Sequence, residues 1–387
     1  MGRQAVKLIY CLIMLLCFGV IASDNSKQPL LTFQNFQQRI ELYSSQHDDV
    51  FNSNVGLQFY LNQKIVVQIN KQYKEQLDNV EGVIKTQVLA ELDEDIVVQV
   101  TPSIDTFIQT YNRVERLPYI GTVQPDFALV RMTQQPVKNT QRKVSNMHLE
   151  WLKGYQCSAP VRPKRIAIID DGFDLSKPWL SAFDVMLEYD ADNQRIIPNK
   201  QKARAGHGNV VAGVIATQLQ SKLENNAASI AQLVAIHQSS TLNSAMILAF
   251  SVSQKMQVDV INSSWTLPFV SQILRNVIHY GLHYSGISYV VVSAGNHAQD
   301  ACVGNKLSEI EGVTTVGALS EDGSLAPFSN YGACVDLYAP AAFLLKNRNV
   351  NIAVSGTSSA AAMVTGEISY LLGCGLSSSE IGLKNKN

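Results

Sequence analysis

Residues 165–172 read RIAIIDDG: one basic residue, four apolar ones dominated by isoleucine, then two aspartates and a glycine. A short unbroken apolar run stopped by turn residues is the signature of a strand buried on both faces, and such strands build parallel sheets covered by helices. Four similar runs follow, at 232–236 (QLVAI), 258–262 (VDVIN), 288–293 (SYVVVS) and 313–317 (VTTVG). Helix-period segments lie between them at 208–217, 242–255 and 269–284. This alternation predicts βαβ units, and hence an α/β half that begins near residue 145.

The chain ahead of that half reads differently. Residues 24–132 are rich in Gln and Asn, with half-buried strand patterns at 64–69 (KIVVQI), 95–100 (DIVVQV) and 127–130 (FALV). A helix is expected over 103–112, opening after Pro102 with Ser103 as its cap. Together these predict a small α+β domain over 23–132. The polar stretch 133–144 (TQQPVKNTQRKV), with Pro136 and no apolar period, places a linker at 133–145 and leaves 146–387 to the α/β domain.

Arg3 and Lys7 precede an uncharged run at 8–22 (LIYCLIMLLCFGVIA), which gives way to Ser23, Asp24 and Asn25. That run is shorter than the roughly 20 residues of a spanning helix. It predicts a signal peptide over 1–22, export to a secreted or periplasmic location, and no membrane association once the signal is cleaved. Beyond it stand Cys157, Cys302, Cys334 and Cys374. Four cysteines admit three full pairings; nearness in the chain makes Cys302 with Cys334 one candidate, and unpaired buried thiols are the alternative. None sit at the short spacing of structural zinc loops. The net charge of −1, with basic and acidic residues interspersed, supplies no stripe to hold phosphates, so nucleic acid is not expected as a partner.

Amide hydrolysis by a nucleophile requires a hydroxyl, a base for its proton, a carboxylate to orient the base and donors for the oxyanion. Asp170 stands at the carboxyl end of the first strand, where open parallel sheets place their sites. His207 lies between Gly206 and Gly208, at the entrance of a helix of small and β-branched residues. Ser358, in SGTSSAAA (355–362), opens an alanine-rich helix whose free N–H groups and positive end favour an oxyanion. Asn296 follows Gly295 after the strand VVVSA and offers a side-chain amide as the second donor. Asp171 is read as a turn or cap residue, Ser359 is the rival nucleophile, and His297 is a loop residue beside the pocket.

In this order the blocks IIDDG, HGNVVAG, SAGN and GTSSAAA resemble the signature blocks of the subtilisin-like serine proteases, over about residues 151–372. The stretches 327–332 (PFSNYG) and 335–340 (VDLYAP) resemble the family's segment between the oxyanion Asn and the nucleophile. The resemblance implies a subtilisin-like doubly wound, mostly parallel α/β sheet with helices on both faces. It further implies a serine endopeptidase using Asp170, His207 and Ser358, with Asn296 in the oxyanion hole. Ser264, Trp265, Thr266 and Gly295 would meet a peptide or protein substrate. The N-terminal domain would be a pro-domain that assists folding and inhibits until it is cut in the linker; a binding module that stays attached is the alternative. No cofactor is required by such chemistry, although the family often binds calcium, for which the sequence shows no ligand set.

The departures from the family pattern are specific. Asp171 stands where Thr is usual, Val210 where a second His is usual, and Ala362 where Pro is usual. Only 29 residues follow Ser358, from which shortened terminal helices are expected. Most consequential, the family's Ser-Leu-Gly in the substrate-pairing segment reads Ser264-Trp265-Thr266. A substrate adding as a strand there would meet the Thr266 side chain. The rival reading from another class is therefore a non-catalytic binding protein with a closed groove. An esterase fits less well, because the serine is not in a G-x-S-x-G elbow.

Overall fold

The computed structural model describes residues 28–47, 49–130, 155–157, 161–198, 206–222, 231–346 and 351–383. The expected signal peptide and linker lie outside the described residues. The α/β half is built on an eight-stranded sheet. Its strands are β8 (Arg165–Asp170), β9 (Phe183–Asp190), β10 (Arg195–Ile196), β11 (Ala231–His237), β12 (Val260–Ser263), β13 (Tyr289–Ser293), β14 (Val313–Leu319) and β15 (Leu337–Pro340), in the order β10-β9-β11-β8-β12-β13-β14-β15. Every pairing is parallel except that of the short edge strand β10 with β9. The central strands are buried along their whole length, as their unbroken apolar runs require. The fold is thus the expected doubly wound, mostly parallel α/β sheet.

Helices cover both faces. On one lie α3 (His207–Lys222) and α6 (Thr357–Gly373), on the other α4 (Asn243–Lys255) and α5 (Gln272–His283). All of α6 is buried apart from Ser358. Its alanines at 360–362 let it lie close against the sheet, and its one acidic residue, the wholly buried Glu367, is met by Lys222 (3.1 Å) and Gln218 (2.6 Å) of α3. A buried carboxylate without such partners would be costly. Two disulfides close the fold, Cys302–Cys334 and Cys157–Cys374; the second joins the segment ahead of β8 to the residue just past α6. No helix among the described residues is long and apolar enough to cross a membrane.

Residues 31–129 form a separate seven-stranded antiparallel sheet: β1 (Leu31–Asn35), β2 (Gln38–Ser44), β3 (Val50–Ser53), β4 (Gln58–Asn70), β5 (Val83–Leu92), β6 (Asp95–Pro102) and β7 (Ile120–Leu129). It carries the short α1 (Lys74–Asp78) and α2 (Phe107–Glu115). Ser103 has extended dihedrals ahead of a 3-10 turn over Ile104–Thr106, but its side chain makes no capping bond. The helix proper starts four residues later than that serine.

This sheet packs one face on α4 and α5, with Val66, Leu89 and Val97 joining Met246, Phe250 and Ile273 in a common core. Phe269, from the loop before α5, enters the N-terminal sheet's aromatic cluster, edge-on to Phe59 (5.2 Å), Phe127 (5.6 Å) and Phe33 (6.5 Å). The helix ends are capped across the same contact. Leu242, ahead of α4, has no side chain able to cap; Asp126 of β7 accepts from the Ser244 N–H (2.9 Å) instead. Asn35 accepts from Gln272 N–H (2.7 Å) and Gln124 from Ile273 N–H (3.3 Å) at the start of α5. Phe269→Ala should lower unfolding stability by about 3–5 kcal/mol. Thermal unfolding with limited proteolysis should show residues 31–129 becoming the part cut first.

Candidate active site

The carboxyl ends of β8, β12 and β13 meet at one edge of the parallel sheet, and the start of α6 is brought to the same edge. Asp170 is the last residue of β8 and is 3% exposed. His207 is the first residue of α3, and its Nδ1 lies 3.0 Å from each carboxylate oxygen of Asp170. An ionised carboxylate can only accept, so Nδ1 carries the proton and the Nε2 lone pair is left free. The glycine after His207 is a packing requirement: a Cβ on Gly208 would lie 2.6 Å from the carbonyl oxygen of Gly172 and 2.8 Å from the Phe173 ring. Asp171 accepts from the Gly208 N–H (3.3 Å), so it caps α3, as read from the sequence.

The Asp170 hydrogen bond holds the His207 imidazolium above the ordinary histidine range, against the opposing effect of burial. Burial lifts the Asp170 carboxyl, while His207 and the Asp171 N–H pull it down. A cavity of about 490 Å3 opens over this pair, with Trp265, Thr266, His297, Thr241 and the chain at Leu129 and Val130 also in its wall.

Ser358 is the second residue of α6 and its one residue that is not buried, whereas Ser359 is 2% exposed and turned into the core. The Ser358 hydroxyl donates to the Ser264 carbonyl oxygen (3.0 Å) rather than to His207. In free enzymes such catalytic bonds are often incomplete and close only with substrate. Asn296 lies in the loop beyond β13, and its Oδ1 accepts from both the N–H and the hydroxyl of Thr357, each at 2.9 Å. This fixes the amide, and its Nδ2, without a partner among the described residues, lies 3.4 Å from where a side chain on Gly356 would begin. The structure therefore gathers Asp170, His207, Ser358 and Asn296 at one sheet edge, with the Asp–His contact already formed.

Ser264 follows β12 and is buried, and Trp265 and Thr266 after it enter the wall of the cavity. The Ser264 hydroxyl donates to Asn262 (2.8 Å), and the Trp265 indole N–H donates to the Ile169 carbonyl (3.1 Å). The Thr266 methyl lies 3.2 Å from where a Cβ on Gly295 would be, so these two residues pack against each other. Reading the sequence did not assign roles to Thr357 or Asn330. Asn330 accepts from the N–H groups of His297 (3.0 Å) and Gln299 (3.2 Å) and donates to the Ala294 carbonyl (2.8 Å), which holds the loop carrying Asn296. The block PFSNYG was the available signal.

The family model described as the Subtilase family matches residues 164–374, more than half of the chain. The chain belongs to the subtilase family. A stretch of 89 residues of this subtilase is 45% identical to Subtilisin-like protease 6 of Arthroderma gypseum, covering 22% of this chain and 22% of that protein. Over 92 residues it is 36% identical to Subtilase-type proteinase psp3 of Schizosaccharomyces pombe, covering 23% of this chain and 20% of that one. The matches thus span about a fifth of the curated relatives' length.

Fervidolysin from Fervidobacterium pennivorans, described as a keratinolytic enzyme related to subtilisin, superposes with a TM-score of 0.59 at 21% identity, covering 80% of this subtilase and 54% of that chain. The epidermin leader peptide processing serine protease of Staphylococcus aureus gives 0.54 at 16% identity, covering 80% and 89%. Both likenesses are of fold.

A raised pKa means that the folded state of this subtilase holds the His207 proton more tightly than the unfolded chain does. The stabilisation is complete at pH values below the ordinary histidine range and is lost as pH rises through the folded pKa. NMR titration should place His207 above the ordinary histidine value, and Asp170→Asn should bring it down. An unchanged value in that variant would remove Asp170 as the cause.

Proposed function

We propose that this subtilase is an exported serine endopeptidase made as a zymogen. The observation that carries the reading is the Asp170–His207 pair, with its free Nε2 over a cavity, at the same sheet edge as the one side chain of α6 that escapes burial. In this mechanism His207 takes the Ser358 proton as Oγ attacks the scissile carbonyl, and Asp170 stabilises the imidazolium that forms. The Ser358 backbone N–H and Asn296 Nδ2 receive the oxyanion, and His207 then returns the proton to the leaving amine. Water, deprotonated by the same histidine, then attacks the acyl ester, and the acid leaves as Ser358 takes back its proton.

The acid limb of the rate follows from the same pair. A protonated His207 cannot act as base, so activity rises with pH through a pKa that Asp170 holds above the ordinary histidine range.

The zymogen reading draws on the end of β7. Leu129 donates its N–H to Thr241 (2.8 Å) and accepts from the same hydroxyl (3.2 Å), while Leu129 and Val130 line the cavity over His207. That the end of β7 borders the cavity over His207 supports a domain that inhibits until cleavage within 133–145 releases it. Two disulfides fit an oxidising compartment and support export. The non-catalytic reading draws on Thr266, whose side chain stands in the cavity wall and packs on Gly295.

The test is labelling of the signal-free protein with a fluorophosphonate probe, with the label and any cut located by mass spectrometry. Ser358 should be labelled and the chain cut within 133–145. Ser358→Ala should lose the label and the cut, and should lower kcat by about six orders of magnitude. Asn296→Ala should lower kcat by about 10²–10³. A chain that stays unlabelled after its N-terminal sheet is removed by limited proteolysis would favour the binding protein.

A further inference from the structure

Away from the cavity, at the last turn of α5, His279 and His283 stand four residues apart and so on one face of the helix. Their ring centroids are 4.1 Å apart. Glu311 faces them from the tight turn Ile310–Val313, which is closed by a bond from the Val313 N–H to the Ile310 carbonyl (3.1 Å). Gly312 has φ +80°, and a Cβ there would lie 3.3 Å from Leu282 and 3.8 Å from the His283 ring. The turn can approach the helix this closely because that residue is glycine. Both supports are rigid: Ile310 and Val313 are each 2% exposed, as are Ile278 (1%) and Leu282 (6%) on the helix.

One ligand atom from each of His279, His283 and Glu311 lies within 4.8 Å of the others. Among the described residues none of the three side chains makes a hydrogen bond or salt bridge; the rings meet through their four-residue spacing and an edge-on contact, with Glu311 and Arg275 close enough to act on His279 electrostatically. A tetrahedral ion with bonds near 2.05 Å sets its ligands about 3.3 Å apart, so binding requires the three side chains to turn inward from their present spacing of up to 4.8 Å. Two imidazoles and one carboxylate form a borderline nitrogen-rich set, which suits zinc and has too few oxygens for calcium or magnesium. The C-terminal end of a helix also favours a cation.

We propose that His279, His283 and Glu311 form a zinc site, with water as the fourth ligand, that clasps the end of α5 to the turn before β14. It lies outside the catalytic machinery and stands whether or not the chain hydrolyses peptides.

The test is calorimetric titration of zinc chloride into the full signal-free chain, freed of metal by chelation and carrying Ser358→Ala so that it stays intact. One ion per chain should bind, and the thermal midpoint should rise with zinc. His283→Ala and Glu311→Gln, both at exposed positions, should each weaken binding roughly tenfold or more and abolish the zinc-dependent rise, with circular dichroism unchanged. Cobalt in place of zinc should give the intense visible absorption of a tetrahedral ion in the parent and lose it in His283→Ala. Unsaturable binding, equal affinity in parent and variants, or displacement of zinc by equimolar calcium would overturn the proposal.

Discussion

Helix α6 crosses the interior with every side chain but one withdrawn from water, and the rest of the site depends on that burial. A helix this enclosed has no rotational freedom: turning it by one residue would expose an alanine or a leucine and bury the hydroxyl. Alanines at 360–362 set its distance from the sheet, and the Glu367 carboxylate, held by Lys222 and Gln218, fixes its register against α3. Thr365 accepts from Asn262 at 2.8 Å and ties the same helix to β12. Because α6 is fixed, so is its first turn, where Thr357 holds Asn296 and Ser358 reaches the sheet edge.

The second constraint is the joint between the two sheets. The N-terminal sheet contributes an apolar face to the α4–α5 core and polar side chains to the helix starts, and in return receives Phe269 among its aromatic rings. Asp126 shows how tightly polar and apolar terms are coupled there. It is wholly buried, and burial raises its pKa, yet Asn62, Gln99 and the Ser244 N–H all donate to it. Such a group is tolerated only in a joint whose geometry is fully determined, and the same geometry fixes where β7 ends relative to His207.

The α/β half was legible because parallel strands buried on both faces carry unbroken apolar runs that periodicity picks out. Residues at strand ends and helix starts then pointed to Asp170, His207 and Ser358, which the structure brings to one sheet edge. Strands β1–β3, β5, β9, β10 and β15–β17, the last two being Phe343–Lys346 and Asn351–Val354, were not read. Most are edge or half-exposed strands of mixed polarity, and their order comes from pairing partners distant in sequence. Helix α3 was read five residues short at its end because residues 218–222 hold a single apolar side chain, the buried Leu219, among four polar ones. Ser103 looked like a cap and is not one, since a 3-10 turn intervenes. Asn330 escaped because a residue that holds a loop by three bonds to backbone has no spacing rule; nor has the convergence of Glu311 on two histidines, which depends on a turn folding back on α5.

The Cys157–Cys374 bridge spans almost the whole α/β sheet, from just ahead of its first strand to just beyond its central helix. It converts that half into a closed ring, with the N-terminal sheet as a tail outside it. A cut ahead of residue 157 severs the tail cleanly. A nick in any surface loop between 157 and 374 merely opens the ring, and the two pieces remain one covalent body that can spring back to its native arrangement. Against any single cut, this makes damage to the body reparable and removal of the tail final.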